Sequence, residues 1–496
     1  MIVSGSVFGQ EDKAELIKRV ELDVKGDAGY VSNFEVISLK EKGLINIYST
    51  RGEERGSTKW VFQKMDVNLN KGASEEVTIS RKFFFFSSYV TKTHFHAIYR
   101  GVKNGYRDYK VMSLELSSMK MKIVEGELPT KKLIFDKMVI LGDYAVIDTK
   151  AKKETFLTLI NWSTGKTKII PIKVEGANGK RIYFQNFQVL EDQSELFAFI
   201  TARAEKKTDT YVLRIDKKGN KKDFFCMTEK YDQVISDISV SKVDKNEFIY
   251  TGTYSEKSSA SSNGLFIGKS IGSSVKFIES YNFLQLNNFL SYLPARKQNR
   301  VEKKKKRKAK RGKELKFNYL IACHDIIKKG DKYILLGEAY YPTYRTETRT
   351  DANGNVTTRT VFDGYRYTHA VVAGFDSEGG LVWDNTFKMF PSYKPFHVKK
   401  FISISEANDR EVQMVFSAGT TIHSKTIDNF NGKTINEKQS EMISTGDDED
   451  KLRAATAETD YWYERNFITY GYQKVKNKSG NKKRKRKVYF INKIAY

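Results

Sequence analysis

The chain is poor in cysteine, proline and histidine, with 2, 6 and 6 of each in 496 residues. Two thiols, Cys226 and Cys323, cannot supply a disulfide framework, and neither sits in a lipid-attachment signal. Six histidines leave little for a metal centre. His94 and His96 alternate on one run and could face one side, but no matching carboxylate spacing accompanies them. No HExxH, GxSxG, paired CxxC or glycine-rich phosphate loop occurs, so neither cofactor nor catalytic residue is implied. No stretch approaches the roughly 20 consecutive apolar residues of a membrane helix. Helical signals are nearly absent too; residues 13–19 and 448–456 hold the two short ones.

What is present is aromatic and β-branched. Hydrophobic residues make up 40% of the chain and aromatics 13%, ample for a core. Around residues 317–390 four apolar runs follow one another. The first, 317–327, breaks at Lys329-Gly330-Asp331 and turns at once into 333–341. A third, 368–375, meets Asp376-Ser377-Glu378-Gly379-Gly380 and turns into 381–387. Short runs punctuated by Gly, Asp and Ser favour strands over helices. We label them a, b, c and d. Such a sheet cannot bury both faces alone and needs neighbours like itself.

The pattern Val371-Val372-x-x-Phe375-Asp376-x-x-Gly379-x-x-x-Trp383 resembles the c–d hairpin of a generic secreted bacterial β-propeller repeat. That resemblance covers half a blade and implies an architecture, not an activity. The same b-turn-c signature recurs along the chain. Candidate b strands at 44–49, 95–99, 144–149, 196–201, 248–253, 333–337, 412–417 and 467–472 each precede a candidate c strand: 59–65, 109–116, 155–162, 210–215, 265–269, 368–375, 421–428 and 488–494. Eight pairs about 50 residues apart match a blade period. The last pair has no d strand after it, whereas 17–24 alternates like a strand with no a, b or c before it. An all-β propeller of eight four-stranded antiparallel blades is therefore expected over 11–496, closed by the N-terminal strand joining the last blade; seven blades is the rival. Residues 163–166, 216–220 and 376–380 fall between c and d, where Gly supplies the positive φ of a tight turn.

The net charge of +26 is uneven. Residues 296–313 hold twelve Lys/Arg and one Glu, and 474–487 hold nine Lys/Arg and no acid, leaving a body near +6. In a propeller the b–c loops and the d–a connections emerge on one face. The first basic loop is a d–a connection and the second a b–c loop, so both should project from that face. The candidate contacts are Lys303, Lys304, Lys305, Lys306 and Arg307, with Lys482, Lys483, Arg484, Lys485 and Arg486. The b–c insertion 342–366 reads as a polar hairpin arm around Asn353-Gly354. Tyr341, Tyr344 and Tyr365 with Arg345, Arg349, Arg359 and Arg366 give its base the composition of an interface hot spot. Smaller b–c loops add Arg100, Lys103, Arg107, Lys150 and Lys207 to this face, and an acidic loop at 445–458 opposes them.

Other motifs read blandly. Asp351-x-Asn353-x-Asn355 fits a hairpin turn better than a calcium loop. Cys323 beside His324 and Asp325 lacks an oxyanion hole and reads as structural. Phe83 to Phe86 reads as core between blades. Residues 1–10 end as a signal peptide does, with small residues at Ser6 and Gly9, which implies export.

The expected function is a non-catalytic binding or scaffold propeller, periplasmic or outer-membrane associated and monomeric on its own. It would engage a protein complex or an anionic surface (lipid, polysaccharide or nucleic acid) through its basic loop face. A propeller enzyme acting on polysaccharide would need acids converging at the channel. An intracellular propeller could instead bind RNA through the same loops.

Overall fold

The computed structural model describes residues 15–22, 34–52, 54, 56–103, 106–129, 137–151, 153–190, 192–204, 207–256, 261–351, 353–441, 449–478 and 485–496. The described strands form eight antiparallel sheets with in-order neighbours, spanning 34–80, 83–127, 138–172, 182–226, 234–282, 320–388, 403–441 and 450–495. We number these blades 1 to 8. Every expected b–c pair is present. In blade 8 the outer d position is filled by Glu15–Leu22, which pairs antiparallel with the c strand from Glu15↔Ala495 to Leu22↔Tyr489.

Eight hydrophobic clusters lie one astride each joint between neighbouring blades, including the joint from blade 8 to blade 1. The ring is therefore closed. The b strands explain why their sequences read as unbroken apolar runs. Successive side chains point to opposite faces, so Leu196, Ala198 and Ile200 pack toward blade 3 while Phe197 and Phe199 pack toward blade 5.

Polar fasteners reinforce the seam. Arg19 donates to Asn492 Oδ1 at 3.3 Å and to Gln473 Oε1 at 2.7 Å, and its guanidinium lies 4.7 Å from the centre of the Phe490 ring. Across the same joint Trp462 Nε1 donates to the Gly43 carbonyl at 2.9 Å. In blade 6, Trp383 donates to the Asn429 carbonyl of blade 7 at 2.7 Å. A Cβ on Gly374 or Gly432 would fall 2.4 or 2.5 Å from Trp383 atoms, so both positions need glycine. The expected c–d turns are present, with Gly165, Gly219 and Gly379 at positive φ.

Several local expectations are corrected. Residues 13–19 and 448–456 are not helical where described: Glu15–Leu22 and Asp450–Tyr463 are strands, because ring closure and the inner-strand position override alanine-rich helix propensity. The acidic loop 445–458 is thus strand from Asp450 onward. The a strand of blade 6 is interrupted, Leu320–Cys323 and then Ile327–Lys329, so His324 and Asp325 occupy the break. Phe84 and Phe85 are 39% and 40% exposed, not core, because the inner strand of blade 2 begins at the loop face. Residues 1–10 lie outside the described residues.

Candidate functional site

Strand order fixes which segments share a face. Each d strand ends, and the following a strand begins, on the side where b passes to c. The connection from blade 5 to blade 6, the arm of blade 6, and the ends of the strands flanking 479–484 therefore all lie on one side of the ring.

The first basic segment is not a loop. Ala295–Ala309 is an α-helix, ARKQNRVEKKKKRKA, with nine Lys/Arg and one Glu. Ala, Lys, Arg and Gln are good helix formers, and Lys306, Arg307 and Lys308 in the last turn meet the negative end of the helix dipole. The segment that leads into it is packed, although no residue of the helix itself is buried. Phe283 and Phe289 stack at 4.5 Å, and the Tyr292 ring lies 3.7 Å above His369 at an 8° tilt. The Asp384 carboxylate accepts the backbone N–H groups of Asn287 and Asn288 at 2.8 and 2.6 Å. Lys305 donates to the Leu284 carbonyl at 2.9 Å, and Lys303 to Arg307 are all exposed. Charge is thus carried on an exposed helix that follows a packed segment.

The arm is the continuation of the b and c strands of blade 6, Lys332–Thr350 and Val356–Phe375, paired out to Thr350↔Val356. Alternation gives it two faces. Thr346, Thr348, Thr358 and Thr360 lie on the side of Tyr344 and Phe362; Arg345, Glu347, Arg349 and Arg359 lie on the other. Glu347 pairs with Arg345 at 2.9 Å and with Arg359 at 2.8 Å, and Asp363 pairs with Lys394 at 2.6 Å. The arm's own charges nearly cancel.

At its base an aromatic ladder runs Phe401, Tyr367, Tyr340, Tyr365, Phe362, with neighbouring centroids 4.9 to 5.5 Å apart. It ends on Tyr344 and Phe396, 61% and 65% exposed. Tyr341, Arg349 and Arg366 are also exposed, and Tyr365 is half-buried. Asp351 Oδ1 accepts the N–H groups of Asn353 and Asn355, both at 2.9 Å, so that triplet is a turn.

The second basic segment is described only in part. Its residues 474–477 belong to the b strand and 485–487 to the c strand. Lys485 is exposed on this strand, Arg486 lies on it too, and Lys482, Lys483 and Arg484 lie outside the described residues. Several cations of the smaller b–c loops act as fasteners instead. Arg100 donates to the Tyr106 carbonyl, Arg107 to that of Leu128, and Lys150 to that of Lys180.

Inside the channel, acids from distant stretches converge. Glu35 on the inner strand of blade 1 meets Glu458 and Asp460 on that of blade 8. Lys399, from the connection into blade 7, pairs with Glu458. Tyr470 donates to Asp460 Oδ2 at 2.9 Å. Burial raises the Asp460 carboxyl to about 6 against that hydrogen bond, with Glu458 adding repulsion. Burial and then Glu458 raise Glu35 as well. The sequence hid this group because the segment bearing Glu458 and Asp460 adjoins an alanine-rich stretch, and because residues more than 420 positions apart meet only through ring closure.

The remaining candidates are structural. His94 and His96 each rest on Trp162 at 5.1 Å, and burial lowers His96 to about 3. Burial pushes the Cys323 thiol well up, the opposite of a nucleophile's shift. His324 Nε2 lies 2.8 Å from Glu338, whose carboxylate also accepts the backbone N–H groups of Phe401 and Ile402 and so joins blade 6 to blade 7. Among the described residues no group of three His, Cys, Asp or Glu side chains could hold a metal ion. No described helix is long and apolar enough to cross a membrane.

No family profile matches the chain, and no curated protein sequence matches it. Solved structures do resemble it. The β-propeller domain of the Trilobed protease from Pyrococcus furiosus is 8% identical, over 83% of this chain and 94% of that one, with a TM-score of 0.35. The Dos1 propeller is 10% identical over 93% and 95%, with a TM-score of 0.39. A prolyl endopeptidase is 10% identical with a TM-score of 0.37; the match covers 90% of this chain but 54% of that one. At these identities and TM-scores the likeness carries no argument by itself. The strand order and the eight joints do: the chain is a β-propeller repeat protein.

Proposed function

We propose that this propeller is a non-catalytic binding or scaffold subunit of the cell envelope that docks an acidic partner through its loop face. The carrying observation is the helix Ala295–Ala309, which presents Lys303, Lys304, Lys306 and Arg307 to solvent on the same side of the ring as the arm of blade 6. Cations held in place cost less ordering entropy on binding than cations on a loose loop. Tyr344 and Phe396 with Arg366 supply the hot-spot chemistry that separates one acidic partner from another. The test replaces Lys303, Lys304, Lys306 and Arg307 together by Glu. These side chains are exposed, so the melting temperature should hold while retention on immobilised heparin and on native envelope extract falls. Unchanged retention on both would count decisively against the reading.

A second reading has one observation in its favour. The convergence of Glu35, Glu458 and Asp460 supplies the acids that hydrolysis of a polysaccharide needs. Glu458→Gln and Asp460→Asn should then abolish turnover of acidic and neutral glycans while leaving heparin retention untouched. Absence of turnover by the parent protein removes this reading.

A further inference from the structure

We propose that the free edge of the arm's first strand, residues 344–350, is a template to which an extended acidic segment of a partner polypeptide adds as a third strand. This rests on the binding function above and names its mode.

Strand a of blade 6 stops pairing at Leu320↔Tyr340, while strand b continues to Thr350 with strand c as its neighbour. Among the described residues, no backbone hydrogen bond outside that b–c ladder involves 344–350. That leaves roughly 20 Å of unpaired edge, at about 3.3 Å per residue. Proteins ordinarily blunt such an edge with Pro, Lys or a bulge. Here Pro342 and the register shift beside it lie at the base. Beyond them the edge reads Tyr-Arg-Thr-Glu-Thr-Arg-Thr, rich in strand-forming threonine and without Pro, Lys or a bulge; its charges are Arg345, Glu347 and Arg349, the first two paired with each other.

The arm's side chains do not explain its projection. Arg345 and Arg359 are already held by Glu347, and past Tyr344 and Phe362 the two faces are threonine and balanced charge. The backbone is what remains to be satisfied, and addition of a strand satisfies it while pockets and charge select the sequence.

Charge sets the partner's sign. The lane beside this edge is the upward continuation of strand a, and the chain enters strand a from the end of the basic helix. It passes Lys310, Arg311 and Lys313, all exposed, before Tyr319 is fixed by reciprocal backbone bonds with Ser262 at 2.7 and 3.0 Å. Residues 310–316 hold four Lys/Arg against Glu314, a net +3 at the entry to the lane, which favours an arriving strand that carries Asp or Glu. A second copy of this chain is disfavoured because it would bring two helices of net +8 together. A nucleic acid would use the cations and exposed rings but leave the edge unpaired.

The probe is a decapeptide of alternating Glu and Val, titrated into the full chain with hydrogen exchange read at each amide. Two analogues carry N-methyl groups on alternate residues, one in each phase. Expected are at least tenfold slower exchange at alternate amides within 344–350 and loss of binding for one analogue. Binding of both analogues as tightly as the parent peptide, or no slowing at 344–350, overturns the proposal; so does failure of the peptide to bind, or tighter binding of a twenty-nucleotide oligothymidylate. The outcomes separate the two claims. If the quadruple Glu variant loses heparin while both analogues still bind the parent protein, the basic face stands and the edge falls. If heparin retention never depended on the helix, the binding reading falls first.

Discussion

One pair of strands in blade 6 is built in two ways along its length. Below the register shift at Ala339/Tyr340, Lys332 to Ala339 are all buried, and alternate side chains serve the two joints. Tyr333, Leu335 and Val371 pack toward blade 5, and Ile334, Leu336 and Val372 toward blade 7. Above it the same two strands pair threonine with threonine and glutamate with arginine in solvent. Cross-strand pairs of that kind contribute about 0.2–1 kcal/mol each, against about 1.5–3 kcal/mol for a fully buried apolar side chain. Strand pairing is thus common to both halves, but one half is there because the ring needs it and the other is not.

The sharpest way to break that contrast is to damage the lower half. Trp383→Ala removes the indole between Gly374 and Gly432 together with its hydrogen bond to blade 7. It should cost about 3–5 kcal/mol in urea unfolding, since the two glycines leave nothing to fill the space. Next comes the seam. Arg19→Ala leaves Gln473 and Asn492 without their donor and should cost about 1.5–3 kcal/mol, with faster exchange at the amides of Lys485–Ala495. Should Arg19→Ala be silent, the backbone ladder of the N-terminal strand and not its guanidinium holds the ring shut.

The ring half was legible in the sequence for the reason it is stable. Residues buried on both sides write unbroken apolar runs, so all eight b–c pairs were readable, and so was the closing strand, as the run left over. The arm was legible through Asn353-Gly354 and its threonines. The helix at Ala295–Ala309 was not, because it has no apolar stripe and its anchors, Phe283, Phe289 and Tyr292, precede it in sequence. The strand Asp450–Tyr463 was misread where alanines dominate it. Phe84 and Phe85 misled in the opposite sense, since hydrophobicity alone does not say which end of an inner strand meets solvent. The channel acids could not be read at all, for Glu35 and Asp460 become neighbours only after blade 8 meets blade 1.

Those acids give the ring a pH signature opposite in sign to the arm's, where hydrogen bonds from Arg359 and Arg345 hold Glu347 below its ordinary value. Asp460 holds its proton to about pH 6 in the folded chain, faced by Glu35, Glu458, Lys399, Tyr470 and Ser403, whereas in the unfolded chain it lets go near its ordinary value. Between about pH 4 and 6 the native state therefore binds the extra proton, and stability falls as pH rises through that window. The loss should total about 3 kcal/mol, and Asp460→Asn should flatten it in urea melts taken at half-unit steps. A slope that survives Asp460→Asn assigns the proton elsewhere.

The smallest expected effect is the most telling. Residues 346–360 cut out and replaced by Asn-Gly keep the Arg345↔Val361 pair beside the new turn and should leave the lower hairpin intact. Unfolding free energy should then change by under about 0.5 kcal/mol, because the excised pairs are exposed and the joints to blades 5 and 7 keep their side chains. Binding of the acidic decapeptide should vanish in the same protein, while retention on heparin, which depends on the helix, stays within about twofold. A stability loss on the scale of Trp383→Ala would mean that the upper half supports the ring after all. A protein that keeps both its stability and its peptide binding would show that the arm does neither job, and would move the acidic partner onto the helix alone.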